Sequence, residues 1–345
     1  MTCTTLCYLE KNEKYLMLHR IKKEHDMNKD KWIGIGGHCE EGESPEDCIK
    51  REILEETGII VESPDFRGIV TFVSGAEKIF TEYMMIFTSS DFIEPEELPA
   101  CDEGVLEWVP KKLLWNMDLW DGDRVFLRLL AQKSPFFSLK LVYDEDDRFT
   151  AAVLNGKDLE LFDIVDDNGN PTGKTEERET AHFLGTKHRS SHMWISDGKN
   201  VLFQKRAACK DSNPGCYDIS SAGHIAAGDD PVSSAIREMK EELGLDIKEN
   251  DLIFLGLHKG SFEKEFHGKI FKDDEVSFVY LCRCIRDNDG HISFDGKKFQ
   301  NLVFQESEVV DAKWMDPVEC FNKLNDPSFP NCIYPDELQM VIRSL

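Results

Sequence analysis

Glu52, Glu55 and Glu56 stand at positions i, i+3 and i+4. On an α-helix that spacing gathers three carboxylates on one face. Bare, they repel one another and weaken the helix. A divalent cation among them turns the repulsion into binding. Mg²⁺ suits the task, because it takes hard oxygen ligands and keeps positions for water and substrate phosphates. Glu238, Glu241 and Glu242 repeat the device in the other half of the chain. A lone E-x-x-E-E reads first as a solvated acidic helix face, so the residues around each triplet decide.

Those residues predict helices that present the carboxylates. Ser44 is a good N-cap, Pro45 suits the first helical position, Asp47 sits where a capping-box acid would, and Gly58 is a natural stop. In the second copy Asp230 is the cap, Pro231 the first residue and Gly244 the stop. The copies are part of a longer repeat. Residues 37–59 (GHCEEGESPEDCIKREILEETGI) and 223–245 (GHIAAGDDPVSSAIREMKEELGL) both open on Gly-His and close on Glu-Glu-x-Gly-apolar, 186 residues apart. So long a period implies two copies of a whole domain.

Strand-like runs flank each box: Thr4–Tyr8, Tyr15–Leu18, Gly68–Val73 and Tyr83–Phe87, then His192–Ile195, Val201–Phe203, Leu252–Leu257 and Val276–Cys282. Each copy then has an acidic segment running into a Trp and ends in a predicted helix, Arg124–Gln132 and Pro335–Ser344. Strands mixed with few helices predict an α+β layered domain. The boundary is placed at Asn155–Gly156–Lys157, giving domains 1–155 and 157–345. A strand is expected at Leu159–Val165 and a hairpin loop at Asp166–Pro171.

With 345 residues, 41% of them apolar, the chain has enough material for two packed cores. Its formal net charge is 41 − 66 = −25. Such a surface suits neither a nucleic-acid polymer nor an anionic membrane. An anionic substrate must be received locally, by metal and a few basic side chains. The 11 cysteines are scattered without zinc-site spacing and read as free thiols in a reducing cytoplasm. No stretch approaches the roughly 18 apolar residues of a membrane helix. The expected location is the cytoplasm, and nothing in the sequence indicates an oligomer.

The full pattern is Gly37, five residues, Glu43, seven residues, then Arg51-Glu52-Ile53-Leu54-Glu55-Glu56-Thr57-Gly58-Ile59. It matches every fixed position of the Nudix box, and the chain resembles the Nudix family along nearly its whole length, once per half. The resemblance implies two α/β/α sandwich domains with mixed sheets. It implies Mg²⁺-dependent hydrolysis (with Mn²⁺ an alternative) of a nucleoside diphosphate linked to another group. Glu52, Glu55 and Glu56 would hold metal, with Glu43 and Arg51 supporting them. An added acid would come from a later loop, Glu103 being preferred over Asp102.

The first half is similar to the MutT branch of 8-oxo-dGTP diphosphatases, through CTTLCYLEKNEKYLMLHR, KDKWIGIGGH and EWVPKKLLWNMDLWDGDRVFLRLL. That implies purine binding by Trp120 and Asp123. Gly37 is a candidate substrate contact, and Arg20, Lys22 and Lys23 are either phosphate contacts or a solvated basic loop. Ile33 departs from the Asn that some purine-reading relatives carry there. The second half is similar to isopentenyl-diphosphate-isomerase-like Nudix proteins, through LFDIVDDNGNPTGKTEERETAH, HMWI and FQKRA. Asp229 replaces the box Glu, and Ala222 stands where the isomerase has its catalytic Cys before Gly223-His224. A hydrolase is therefore expected, with Arg237 supporting, Glu238, Glu241 and Glu242 on metal, Glu308 as the extra acid and Gly223 beside the substrate. His192, His224 and Glu275 loosely match ligands of the isomerase-like proteins; His182, His188, His192 and His224 are read first as structural or hydrogen-bonding groups, with metal ligation the alternative. Alternatives are an ADP-ribose or nucleotide-sugar pyrophosphatase, or one half serving as a nucleotide sensor.

Overall fold

The computed structural model of the chain describes residues 2–22, 26–75 and 79–345. The chain divides into two compact units. One comprises the residues up to Leu161 together with Lys174–Thr180, the other Phe162–Gly173 and Ala181–Leu345.

In the first unit the strands are β1 (Thr2–Lys11), β2 (Lys14–His19), β3 (Trp32–Ile33), β4 (Asp65–Ser74), β5 (Phe80–Ser89), β6 (Val105–Pro110), β7 (Phe137–Tyr143), β8 (Phe149–Leu154) and β9 (Lys157–Leu159). Among the described residues they form one mixed sheet in the order β3-β2-β1-β5-β4-β7-β8-β9, with β6 also on β2. The pairs β1–β5 and β4–β7 are parallel. Strand side chains alternate between faces, and two helices use the two faces. Cys7 and Leu9 of β1 and Leu16 and Leu18 of β2 pack with Ile49 and Ile53 of α1 (Pro45–Thr57). Tyr8, between Cys7 and Leu9, turns the other way and meets Phe126 of α2 (Asp123–Ala131) at 6.0 Å. Each fully buried aliphatic side chain here contributes roughly 1.5–3 kcal/mol.

The box helix begins and ends on local signals. The Ser44 hydroxyl accepts the Asp47 amide, the Asp47 carboxylate accepts the Ser44 amide, and Gly58 closes the helix at φ 67°. Asn155 (φ 51°) and Gly156 (φ 79°) form a tight turn joining β8 to β9 within this sheet. Asn-Gly with both φ positive is the favoured two-residue hairpin turn. The compact unit thus continues past the boundary expected at 155–157. The single strand expected at Leu159–Val165 is also two: β9 ends at Leu159 and β10 (Leu161–Val165) follows. Between them Glu160 leaves the ladder, its carboxylate pairing with Arg178 at 2.7 Å and its carbonyl accepting the Arg178 amide. A hairpin of β10 with β11 (Pro171–Glu177) follows, then α3 (Arg178–Leu184).

The second unit is built on β12 (His188–Ser196), β13 (Val201–Arg206), β14 (Tyr217–Asp218), β15 (Ser221–His224), β16 (Leu252–Phe266) and β17 (Lys269–Arg283). A small sheet of β18 (Ile285–Arg286), β19 (Ile292–Phe294) and β20 (Lys297–Phe299) precedes β21 (Val309–Met315). The main sheet runs β14-β13-β12-β17-β16, with β15 on β12, β21 on β13, and β12–β17 parallel. Met193 and Ile195 face α4 (Pro231–Leu243), which packs through Ala235, Met239 and Leu243. Trp194 faces the opposite layer, where α5 (Pro317–Lys323) and α6 (Pro335–Ser344) contribute Cys320, Leu338 and Val341. Asp230 caps α4 on the Ser233 amide and Gly244 ends it at φ 71°. Among the described residues no helix is long and apolar enough to cross a membrane.

Candidate active sites and a histidine cluster

In the first unit Arg51 is the hub of the box. Its Nε donates to Glu43 at 2.7 Å and one terminal nitrogen to the other Glu43 oxygen at 2.9 Å. The second terminal nitrogen spans Glu52 at 2.8 Å and Glu55 at 3.2 Å. Its hydrogen bonds to Glu43 hold that carboxyl down at about 2. Gly37 makes room: a Cβ there would lie 2.6 Å from the Glu52 carboxylate. The Glu55 carboxylate is 61% exposed.

Glu52, Glu56 and Glu103 converge on one cavity of 470 Å³, which Arg20, Gly37, Trp120 and Asp123 also line. Burial, then Glu103 and Glu52, push Glu56 up to about 8. Its Oε2 is buried without a hydrogen bond among the described residues. A buried carboxyl oxygen without a donor, beside two further carboxylates, fits a hard divalent cation. Of the two later acids, Glu103 lines the cavity, whereas Asp102 is exposed. Arg20, expected on phosphate, is instead bound to Glu103 and, at 2.7 Å, to Asp26. Lys22 donates to the Cys101 carbonyl at 2.6 Å, and Lys23 lies outside the described residues.

Trp120 and Asp123 add an aromatic face and a further acid to the same lining. Trp120 is half-buried, and its indole N–H donates to Asn28 at 2.8 Å. Asp123 is 6% exposed and opens α2, whose N-cap is Gly122 without a side-chain cap bond. Burial, with Glu82 and Asp121 near, raises Asp123 to about 7, against the pull of Lys31.

The second unit repeats the acidic corner. Burial, followed by Glu238 and Glu308 against the bonds it accepts, raises Glu242 to about 8. Glu242 accepts the Ser221 hydroxyl at 2.6 Å and the Ala222 amide at 3.2 Å. A Cβ on Gly223 would lie 2.2 Å from the Glu238 carboxyl carbon. Glu308 pairs with Lys210. Glu241 is exposed.

The supporting pair differs from the first box. Arg237 is 41% exposed and pairs with Glu238 at 3.2 Å. Asp229, one methylene shorter than Glu43, is exposed, and no ion pair joins it to Arg237 among the described residues. The loop before α4 is held elsewhere: Asp163 accepts the Gly228 amide at 2.9 Å and Arg189 at 2.6 Å. No local motif marked Asp163.

The four histidines are not isolated. Ring nitrogens of His182, His188 and His224 lie within 4.8 Å of one another, and His188 shares such a group with Asp273 and Glu275. Glu275 stands 3.2 Å from His224, 3.6 Å from His188 and 3.7 Å from His192. Burial opposes its charge, but the three imidazoles hold it well below the usual range. His188 Nδ1 faces the Thr186 carbonyl at 2.8 Å, and its buried Nε2 faces Glu275 at 3.6 Å. Imidazoles with carboxylates in this arrangement fit a divalent transition-metal ion. His182, His188 and His224 thus have the geometry of a donor set as well as of a hydrogen-bonded cluster. His192 turns its other nitrogen to Glu337 at 2.9 Å, and Glu337, 1% exposed, also accepts the Trp194 indole. Sequence spacing could not pair residues 145 apart.

The NUDIX domain model matches residues 3–130 and again 186–336. An uncharacterized Nudix hydrolase of Clostridium acetobutylicum is 38% identical over 155 residues, 44% of this chain and 67% of that relative. Nudix hydrolase 3 of Arabidopsis thaliana is 37% identical over 164 residues, 47% of this chain. That match spans only 17% of the Arabidopsis protein. Isopentenyl-diphosphate Delta-isomerase 2 of Photorhabdus laumondii is 35% identical over 88 residues, 25% of this chain and 49% of the relative. With one family match on each half, and a carboxylate-bearing helix at the centre of each, the chain belongs to the Nudix hydrolase family as a tandem of two Nudix domains.

Proposed function

We propose that the first unit hydrolyses a P–O–P bond in a purine nucleoside triphosphate, with oxidised dGTP among its substrates. One observation carries the reading: the Glu52–Glu56–Glu103 corner and the Trp120–Asp123 end share a single 470 Å³ cavity. A cavity lined by both groups supports a nucleotide bound with its phosphates at the acids and its base at the indole.

Glu52, Glu55, Glu56 and Glu103 are the residues that would hold Mg²⁺ or Mn²⁺. When bound, the cation polarises the pyrophosphate and lowers the pKa of the attacking water. Arg51 keeps Glu43, Glu52 and Glu55 in fixed relation, so the carboxylates need no reorganisation when substrate arrives. Arg20 orients Glu103, which stands beside Glu56 as an acceptor for the proton leaving water. At the other end the Trp120 indole offers a stacking face, and Asp123 faces donors on the edge of the base.

For the second unit we infer hydrolysis of a different diphosphate, with Glu238, Glu241, Glu242 and Glu308 in the metal-holding roles. The His182–His188–His224 group supports this reading, because the first unit has no such donor set among the described residues. An ADP-ribose or nucleotide-sugar diphosphate remains the alternative substrate class, and a purely sensory half the alternative role.

The test is pyrophosphate and phosphate release from 8-oxo-dGTP, dGTP, other nucleoside triphosphates, ADP-ribose, nucleotide sugars and CoA, with and without Mg²⁺. Wild type, Glu56→Gln and Glu242→Gln are compared. Glu56→Gln is expected to abolish turnover of purine triphosphates and Glu242→Gln to spare it. A wild type inactive on the whole panel with Mg²⁺ present overturns the hydrolase reading for these substrates.

A further inference from the structure

We infer that Tyr143, on β7 beyond the end of the first family match, positions the base-contacting wall of the first cavity and thereby sets how tightly the base is held. The inference rests on the proposal that Trp120 and Asp123 contact the base.

Trp120, Asp121, Gly122 and Asp123 form one tight turn, closed by the Asp123 amide on the Trp120 carbonyl at 3.0 Å. Both base-contacting residues therefore sit on this one turn. Gly122 is the N-cap of α2 and lacks a side chain to cap the helix. Its own amide donates instead to the Tyr143 hydroxyl at 2.7 Å, in a buried setting. The two residues are matched, since a Cβ on Gly122 would lie 2.6 Å from that hydroxyl.

The Tyr143 ring also meets Trp120 edge-on, with centroids 5.4 Å apart, and Phe72 at 5.0 Å. Phe72 and Trp120 line the cavity. The place of Tyr143 is set by register, because β7 runs parallel to β4 with Tyr143 opposite Ser74 and Leu141 opposite Phe72. Tyr143 is thus a positioning residue: one hydroxyl and one ring face fix the backbone and the indole of the wall.

A merely structural Tyr143 would act through its buried ring, which Tyr143→Phe retains. Removing only the hydroxyl leaves the Gly122 amide buried without an acceptor and frees the turn. In the full-length chain, Tyr143→Phe is expected to raise KM for dGTP and 8-oxo-dGTP about tenfold while kcat holds within about twofold. Trp120→Ala is run beside it, and Tyr143→Phe in the Trp120→Ala background is expected to raise KM by less than it does alone, since only the Asp123 contact is left to it.

An unchanged KM in Tyr143→Phe, or a loss confined to kcat, overturns the assignment. So does full additivity in the double variant. If Trp120→Ala itself leaves KM unchanged, or the wild type turns over neither nucleotide, the base-stacking proposal fails and this one falls with it.

Discussion

At the scale of single residues, the glycine that opens each box has a spatial reason. A methyl group on Gly37 would occupy space taken by the Glu52 carboxylate, and the flexible glutamate is what would yield. Gly37→Ala should therefore leave the thermal midpoint nearly unchanged while cutting kcat/KM roughly 100-fold, because the displaced atoms are reactive ones. Paired melting curves and steady-state kinetics would check it. Asp123 carries a different prediction. Its folded-state value is raised to about 7 by burial, above an unfolded value near 3.8. The folded state then binds the extra proton, so its stabilising contribution is complete below about pH 4 and is lost as pH rises through 7. Asp123→Asn should gain on the order of 2–4 kcal/mol relative to wild type between pH 4 and pH 8; denaturation at both pH values would show it. Glu52, Glu55 and Glu56 stood out in the sequence because i, i+3 and i+4 spacing within one helix is local. Tyr143, Asp163 and Glu337 were not, because each acts on an atom brought to it by a sheet register or a distant helix.

Among the elements, α1 and α4 were legible almost to the residue, since caps and stops are local chemistry: Ser44 and Gly58, Asp230 and Gly244. Asn155–Gly156 is a case where a strong turn signal was read as a border rather than a hairpin, because a turn and a linker share the same composition. The two helices are also held differently. Arg51 joins Glu43, Glu52 and Glu55, whereas Arg237 joins Glu238 and is more exposed. Lysine cannot reproduce a forked contact. Arg51→Lys should weaken Mn²⁺ binding at the first site roughly 10-fold or more, and Arg237→Lys should cost the second site several times less. Titration of Mn²⁺ into full-length protein, with the other box silenced by Glu242→Gln or Glu56→Gln and the histidine group by His188→Ala throughout, separates the two. Equal losses would show that Asp229 supports Arg237 as Glu43 supports Arg51.

For the molecule as a whole, the first unit does not end where its last strand does. Arg128 of α2 is 1% exposed, and its charge is met by Glu177 at 3.1 Å, Glu179 at 2.8 Å and the Thr180 hydroxyl at 3.0 Å. These partners lie in Lys174–Thr180, which belongs to the first unit although residues 162–173 before it belong to the second. Breaking a buried pair by removing one partner costs about 3–5 kcal/mol. Glu177→Ala in the full chain should lower the melting transition of the first unit accordingly, and a fragment ending at 173 should be far less stable than one ending at 180. Equal melting of the two fragments would show that Arg128 finds another partner. The sequence offered no hint of this exchange, because it appears only when contacts, not composition, define the unit. It has a consequence for inheritance. No single crossover in the gene can part the two halves cleanly, since the short segment that completes one lies downstream of residues that belong to the other. A recombination event that carried off residues 1–161 alone would leave Arg128 without Glu177, Glu179 and Thr180.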